Sequence, residues 1–184
     1  PLLGLKISKN PGVDEDEPVV LLNAAHHGSE LLPVEYALDA MQQLLEGYGR
    51  DPQATRWVNN LEIWCVPMVN PDGNHMYMEV SRDGGRKNGR DTDRNGTTDP
   101  FEGVDLNRNY PFGWGRGGEV GSRSFFTHKW YRGPAPASEP ETQALIGLAT
   151  RYPFAAVISF HTIGTAIFSP YMVFEVQEPY CVIA

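Results

Sequence analysis

The sequence alternates between apolar runs of strand length and stretches with helical spacing. Three apolar runs cover residues 19–25, residues 61–68 and Phe154–Phe160, and each is typical of a strand that is covered on both faces of a sheet. Apolar residues recur at helical spacing over residues 33–47 and residues 138–151, so we expect one helix after the first strand and another before the third.

The local signals around these elements agree with an alternating fold. Pro33 suits the first turn of the first helix and Gly47 its end. Ser138 and Glu141 are spaced as a capping box, which places the start of the second helix at Ser138. The first eight residues alternate in polarity and predict a half-buried strand. The sequence therefore predicts an α/β fold, with a mostly parallel mixed sheet and helices on both faces.

Length and charge narrow the function classes. A chain of 184 residues fits one domain, which we assign to residues 1–184. A net charge of −8 does not favour binding to nucleic acid or to an anionic membrane surface, both of which are negatively charged. No apolar run reaches the roughly 18 residues of a membrane helix. We therefore expect neither nucleic acid nor membrane as a partner. Residues 81–124 are rich in Gly, Asn, Asp and Arg, and a loop of that length is usually either functional or disordered.

Polar residues follow each predicted buried strand directly. The first strand runs into HHGSE, which contains His27 and Glu30, the second into NPDG, and the third into His161 and Thr162. Open α/β sheets bind ligands at this edge, and two His with one Glu is a recognised zinc set that leaves a position for water. His27, Glu30 and His161 are therefore candidate zinc ligands. Taken alone, the spacing also fits a Glu at a helix start and a buried, hydrogen-bonded His.

Six motifs in a fixed order make the zinc hypothesis specific: HHGSE, VNPDG, RKNGR, GVDLNRNYPFGWG, SEPET and SFHT. As a set they resemble the zinc carboxypeptidases of the carboxypeptidase A type, from Pro1 to about Tyr171. The resemblance implies that the chain is the central part of a larger domain, incomplete at both ends. It also places the general base of the family, a Glu on a later strand, beyond this chain. Glu175 and Glu178 match nothing in the family pattern and are not assigned as the base.

The resemblance implies roles for the central loop. His27, Glu30 and His161 match the zinc ligands, and Asp105 matches the residue that holds the ring of the first ligand. Asn107 and Arg108 match the pair that binds the substrate's C-terminal carboxylate, which a guanidinium recognises through two parallel hydrogen bonds. Sequence alone leaves two simpler interpretations open. Asp105 could cap the turn before Asn107, and Arg108 could pair with a neighbouring Asp.

One further arginine is implied as a catalytic group. In the family an Arg of the RK-containing segment polarises the scissile carbonyl and stabilises the oxyanion. Gly89 stands where many relatives carry that Arg, so we assign the role to Arg90, one position later.

Residues 91–102 fit the twelve-residue calcium-loop pattern D-x-[DN]-x-[DN]-G-x5-E throughout. The side-chain oxygens would come from Asp91, Asp93, Asn95, Asp99 and Glu102, and Thr97 would give its carbonyl. No flanking helices are predicted, so the prediction is a free-standing Ca²⁺ loop. The alternative is an acidic loop of Asx turns without metal.

These observations predict a zinc metallocarboxypeptidase that hydrolyses the C-terminal peptide bonds of peptides or proteins through a zinc-activated water. The resemblance and the calcium loop predict a secreted or periplasmic location. Two alternatives stay open. One is a non-catalytic fragment or pseudo-peptidase that binds zinc and calcium but lacks the general-base Glu, and the other is an amidase or cell-wall peptidase on the same fold.

Overall fold

The computed structural model describes residues 1–162, 164 and 166–168. Its centre is a four-stranded sheet in the order β1-β3-β2-β4. The strands are β1 (Leu5–Ile7), β2 (Val19–Ala24), β3 (Glu62–Val66) and β4 (Phe154–Phe160). β2 runs parallel to both β3 and β4, whereas β1 pairs antiparallel to β3. The predicted mixed, mostly parallel sheet is confirmed.

Helices cover both faces of this sheet, as predicted. The α-helices in the described residues are α1 (Leu32–Gly47), α2 (Pro52–Asn60), α3 (Pro71–His75) and α4 (Pro140–Arg151). A π-helical turn, Met76–Val80, continues α3. None of the helices in the described part of the chain has both the length and the apolar character needed to cross a bilayer.

The two faces of the sheet bury separate apolar clusters. On one face, Leu22 of β2 and Cys65 of β3 pack with Leu44 of α1 and Val58 of α2. The other cluster joins side chains of β2, β3, α4 and the central loop, namely Leu21, Val66, Leu145 and Leu106. Because burial of apolar area is the main favourable term in folding, these clusters hold the strands that carry the site.

Two predictions about local structure are wrong. β4 was expected to be covered on both faces, but among the described residues it is an edge strand, and Val157 and Ile158 are 54% and 48% exposed. The capping box at Ser138 does not form. Glu139 occupies the N-cap position, and the Ser138 hydroxyl donates to the Glu139 carboxylate at 2.6 Å instead. Pro140 explains the later start, because its fixed φ suits the first helical turn.

The central loop has almost no regular structure, as predicted. Within residues 81–124 the one helical turn is the 3₁₀ segment Leu106–Arg108. The carboxyl ends of the three parallel strands meet at one edge of the sheet, and the loop folds against that edge through Leu106. The residues that follow the three strands are therefore brought together.

Candidate metal centre

The three predicted zinc ligands converge at the carboxyl edge of the sheet. His27 and Glu30 lie in the turn between β2 and α1, and His161 directly follows β4. Nδ1 of His27 lies 2.8 Å from Oε1 of Glu30, and Nδ1 of His161 lies 3.1 Å from Oε2 of the same carboxylate. One ligand atom from each residue falls within 4.8 Å of the other two.

This donor set fits a zinc ion. A tetrahedral site with bonds of about 2.0–2.1 Å separates its ligand atoms by about 3.3 Å, close to the two measured separations. His27 and Glu30 are 4% and 6% exposed, and two imidazoles with a carboxylate are the ligand types that zinc takes in hydrolytic sites. The three residues could therefore hold one Zn²⁺.

The turn that carries His27 and Glu30 is fixed by its backbone. Ala25, at the end of β2, has a φ of 55°, in the left-handed region that costs a non-glycine residue energy. Gly28 packs so closely on α3 that an added Cβ would lie 2.1 Å from the Asn74 nitrogen. The turn that carries the two candidate ligands therefore requires glycine at position 28.

Asp105 holds the far side of the His27 ring. It is fully buried, and its Oδ1 lies 3.2 Å from Nε2 of His27. Oδ1 also accepts from the Asn107 amide at 3.1 Å, so the ring contact and the turn cap are both present. With Nε2 engaged by Asp105, Nδ1 of His27 is left to face Glu30, which is the arrangement that a metal-bound imidazole needs.

His27 and the carboxylates of the cluster shift one another's pKa toward the charged forms. Burial alone would raise the pKa of Glu30, but hydrogen bonds from His161 and His27 hold it well below its usual range. Burial likewise works against ionised Asp105, yet its bond to His27 and the nearby Arg86 charge lower the pKa of Asp105. For His27, hydrogen bonds to Asp105 and Glu30 outweigh burial and raise the pKa. Both carboxylates are therefore ionised ligands or acceptors at neutral pH.

His26 lies beside the cluster and differs from His27 in its protonation. Burial, followed by the nearby His161 and His27, lowers the pKa of His26 to about 3. Its Nε2 lies 2.7 Å from the hydroxyl of Tyr110, and its ring stacks on that of His161 at 5.8 Å between centroids. A neutral His26 therefore supports the ring of the third candidate ligand.

The predicted carboxylate anchor lies on the adjoining loop. Asn107 and Arg108 line a cavity of about 710 Å³ together with Tyr110 and Trp114. The Arg108 guanidinium donates to the Gly121 carbonyl at 2.6 Å and to the Asn107 carbonyl at 2.9 Å. These bonds orient the side chain, and its role in substrate binding stays a prediction.

Arg90 is held by a buried carboxylate. Its Nη1 lies 2.7 Å from Oε1 of Glu139, which is 1% exposed. The Asn88 amide donates to the other Glu139 oxygen at 2.8 Å. The bond to Glu139 thus orients the Arg90 side chain. Its assignment as the oxyanion-binding group stays a prediction.

The acidic loop brings together part of its predicted ligand set. Carboxylate oxygens of Asp91, Asp93 and Glu102 lie within 4.8 Å of one another. The loop side chains also bond to nearby backbone amides, as an acidic loop of Asx turns would. Asn95 accepts from the Thr97 amide at 2.8 Å, Asp99 from the Phe101 amide at 2.7 Å, and Asp91 from the Arg94 amide at 2.6 Å. Three of the six predicted calcium ligands therefore form a cluster. Glu175 and Glu178 lie outside the described residues.

Sequence reasoning missed two residues that organise this edge. Asn70, fully buried, caps α3 through the Gly73 amide and donates from Nδ2 to the His26 carbonyl at 3.1 Å. Arg86 binds Asp105, with Nε and Nη2 at 2.9 and 2.8 Å from Oδ2. An Asn before Pro at the end of a buried strand is a helix-cap signal that could have identified Asn70. Arg86 opens the RKNGR motif, but nothing in the sequence indicates that Asp105 is its partner.

Comparisons with known proteins find a matching family model, similar sequences and similar structures. The family model described as zinc carboxypeptidase matches residues 1–179. A zinc carboxypeptidase of Saccharothrix mutabilis subsp. capreolus is 39% identical over 60% of this chain and 24% of its own length. Metallocarboxypeptidase A of Trichophyton tonsurans is 30% identical over 87% of this chain and 37% of its own length. The crystal structure of carboxypeptidase A from Helicoverpa armigera superposes with a TM-score of 0.74 at 26% identity, over 89% of this chain and 38% of that one. The chain thus spans well under half of each of these relatives.

Proposed function

Because the chain belongs to the zinc carboxypeptidase family, we propose that it carries the metal centre and the carboxylate anchor of an enzyme that removes residues from the C-termini of peptides or proteins. The observation that carries this proposal is the convergence of His27, Glu30 and His161, with both Glu30 oxygens at 2.8 and 3.1 Å from imidazole nitrogens. When bound, zinc supplies Lewis-acid polarisation of a carbonyl and makes a water molecule more acidic.

The chain's own residues would bind and orient the substrate. Asn107 and Arg108 would hold the terminal carboxylate, because a guanidinium fork pairs with it through charge-assisted hydrogen bonds. Arg90 would donate to the carbonyl oxygen as negative charge develops there. Its bond to buried Glu139 keeps the guanidinium in one orientation before substrate arrives, so little reorganisation is needed during the reaction.

Metal analysis of the purified full chain tests the first part of the proposal. We expect one zinc per chain after dialysis against zinc, and loss of that zinc in a His161→Gln variant. His128→Gln is the matched control, because His128 is a loop histidine that contacts Phe125 and Trp130. Absence of zinc from the unsubstituted chain, or its retention in His161→Gln, would contradict the proposal.

Peptide binding to the zinc-loaded chain tests the second part. We expect a peptide with a free C-terminal carboxylate to bind at least tenfold more tightly than its amide, because a charged hydrogen-bond pair contributes about 1.5–3 kcal/mol. Arg108→Gln should abolish this difference in affinity. Arg116→Gln removes an equal charge from the same loop and should preserve the difference if Arg108 is the specific contact. Equal affinity for acid and amide would indicate a different substrate class, such as an internal amide.

We also propose that the acidic loop binds Ca²⁺. Clustering of Asp91, Asp93 and Glu102 supports this, together with the full match of residues 91–102 to the calcium-loop pattern. Bound Ca²⁺ would order the segment between Arg90 and Asn107, two candidate substrate contacts. Isolated loops of this kind suit the millimolar calcium of extracellular fluids, which agrees with the predicted secreted or periplasmic location.

Calorimetric titration of the chain with Ca²⁺ tests the loop independently of zinc. We expect binding at millimolar or lower concentration, and at least a tenfold loss of affinity in Asp91→Asn. Asp83→Asn, in an exposed position before the loop, is the control. An absence of heat and of protection from proteolysis at 10 mM Ca²⁺, taken as roughly tenfold above an extracellular-type dissociation constant, would exclude the calcium site.

A further inference from the structure

Arg86 shares a carboxylate with a candidate metal ligand. Its Nε and Nη2 approach Oδ2 of Asp105 at 2.9 and 2.8 Å. The other oxygen, Oδ1, lies 3.2 Å from Nε2 of His27. The three side chains therefore form a continuous line of hydrogen bonds from the guanidinium through the carboxylate to the imidazole.

The two oxygens of Asp105 have separate partners. Oδ2 receives both Arg86 donors, while Oδ1 receives the His27 ring and the Asn107 amide. Since Asp105 is fully buried, no water competes for these positions. Two donors on one oxygen hold the carboxylate against rotation about its last bond, so Oδ1 stays aimed at the ring.

Arg86 is itself held at its backbone. The Asn70 amide donates to the Arg86 carbonyl at 3.3 Å, and the next residue, Lys87, is 6% exposed. The preceding residue, Gly85, has a φ of 90° and packs against Gly73. The Arg86 side chain thus starts from a fixed main chain, although about a quarter of it is open to solvent.

We propose that Arg86 is a positioning residue for the metal centre. It fixes the orientation of Asp105, and Asp105 fixes the His27 ring with Nδ1 facing the other ligands. This inference rests on the proposed zinc site and adds to it a residue that acts on the ion through two intervening side chains, Asp105 and His27. A residue that orients a metal-binding histidine through its other nitrogen typically accounts for 10–100-fold in metal affinity.

Zinc affinity of the purified full chain, measured by competition with a chromophoric chelator, tests the proposal. We expect Arg86→Gln to weaken zinc binding about tenfold. Arg86→Lys keeps the charge but offers one nitrogen, so it should recover part of the loss. Arg82→Gln removes an equal charge four residues earlier, where the guanidinium lies over the Tyr77 ring, and should bind zinc as the unsubstituted chain does. Unchanged affinity in Arg86→Gln, or an equal loss in Arg82→Gln, would overturn the proposal.

A double-substitution cycle separates positioning from a general effect on folding. If Arg86 acts through Asp105, Arg86→Gln should change zinc affinity less than twofold when Asp105 is already Asn. The absorption spectrum of the Co²⁺-loaded chain should also shift in Arg86→Gln, because it reports ligand geometry. A tenfold loss that persists in the Asp105→Asn background, with an unaltered cobalt spectrum, would overturn the positioning role. An unsubstituted chain that binds neither zinc nor cobalt would refute the metal centre itself.

Discussion

At the residue scale, the site depends on a position where no side chain fits. Gly28 sits between two candidate zinc ligands and faces the backbone of α3, with the Gly73 carbonyl carbon 2.3 Å from where a Cβ would be. These contact atoms belong to the backbone, which cannot move aside as the end of a flexible side chain can. A single methyl group at this position therefore forces the turn and α3 apart.

We predict that Gly28→Ala lowers the free energy of unfolding by about 3 kcal/mol or more, the upper range for overpacking. Gly12→Ala is the matched control, because no atom lies within 4 Å of its added Cβ, and its effect should stay within about 0.5 kcal/mol. Urea unfolding of both variants measures the difference. Equal stability of the two variants would show that the turn can move.

The same scale shows what sequence can and cannot predict of the site. The convergence of His27, Glu30 and His161 was predictable because each follows one of the parallel strands, and parallel strands end at one edge. Arg86 was not, since its partner Asp105 lies 19 residues away across an irregular loop. Loop conformation determines that contact, and no periodic pattern encodes it.

At the element scale, Lys87 joins two segments of the central loop. Its ammonium donates to the carbonyls of Phe101, at the end of the acidic loop, and of Phe126. The side chain is 6% exposed, and burial lowers the pKa of Lys87 from 10.5 to about 8, despite the nearby acidic charges. The charged form is therefore less favourable in the folded state than in the unfolded chain.

This shift predicts a rise of stability with pH. Between about pH 8 and 10.5 the unfolded chain binds more protons at Lys87 than the folded chain does, so its contribution to the free energy of unfolding increases with pH. Relative to a Lys87→Gln variant, the unsubstituted chain should gain roughly 1–2 kcal/mol from pH 8 to 9.5. Denaturant unfolding at both pH values measures it, with exposed Lys9→Gln as the control. A constant difference would refute the lowered pKa.

Elements with strong periodicity were predictable, and short capped ones were not. α1, β2 and β3 agree with the apolar pattern because burial fixes it, whereas β4 forms at the predicted position but is largely exposed. α2 has nine residues and two buried side chains, so its cap at Asp51, which accepts from the Ala54 amide at 2.7 Å, is the clearer signal. The edge position of β4 could not be predicted, since an apolar run does not specify how many neighbours a strand has.

At the scale of the whole molecule, zinc would add a second link between α1 and β4, which already contact each other through the rings of Tyr36 and Phe160. Glu30 precedes α1, whereas His161 follows β4, and β4 is paired with β2 alone among the described strands. An ion held by both stabilises the folded state by mass action, because the unfolded chain has no preformed site.

We predict that stripping zinc with a chelator lowers the melting temperature by about 10 °C, the effect of roughly 4 kcal/mol in a chain of this size. The His161→Gln variant should melt at the chelated temperature with or without zinc. His128→Gln should respond to zinc as the unsubstituted chain does. Differential scanning calorimetry makes the measurement, and a melting temperature that is indifferent to the chelator would contradict a shared site.

The two candidate ligands Glu30 and His161 are 131 residues apart in sequence. We expect a contact of that separation to form after local helices such as α1, because the entropy of closing the intervening loop must be overcome first. The centre can therefore form only after His161 has been synthesised, when α1 and α2 are already part of the nascent chain. A nascent chain that has already built α1 and α2 still has no metal-competent site, so metal capture would mark the pairing of β4 with β2.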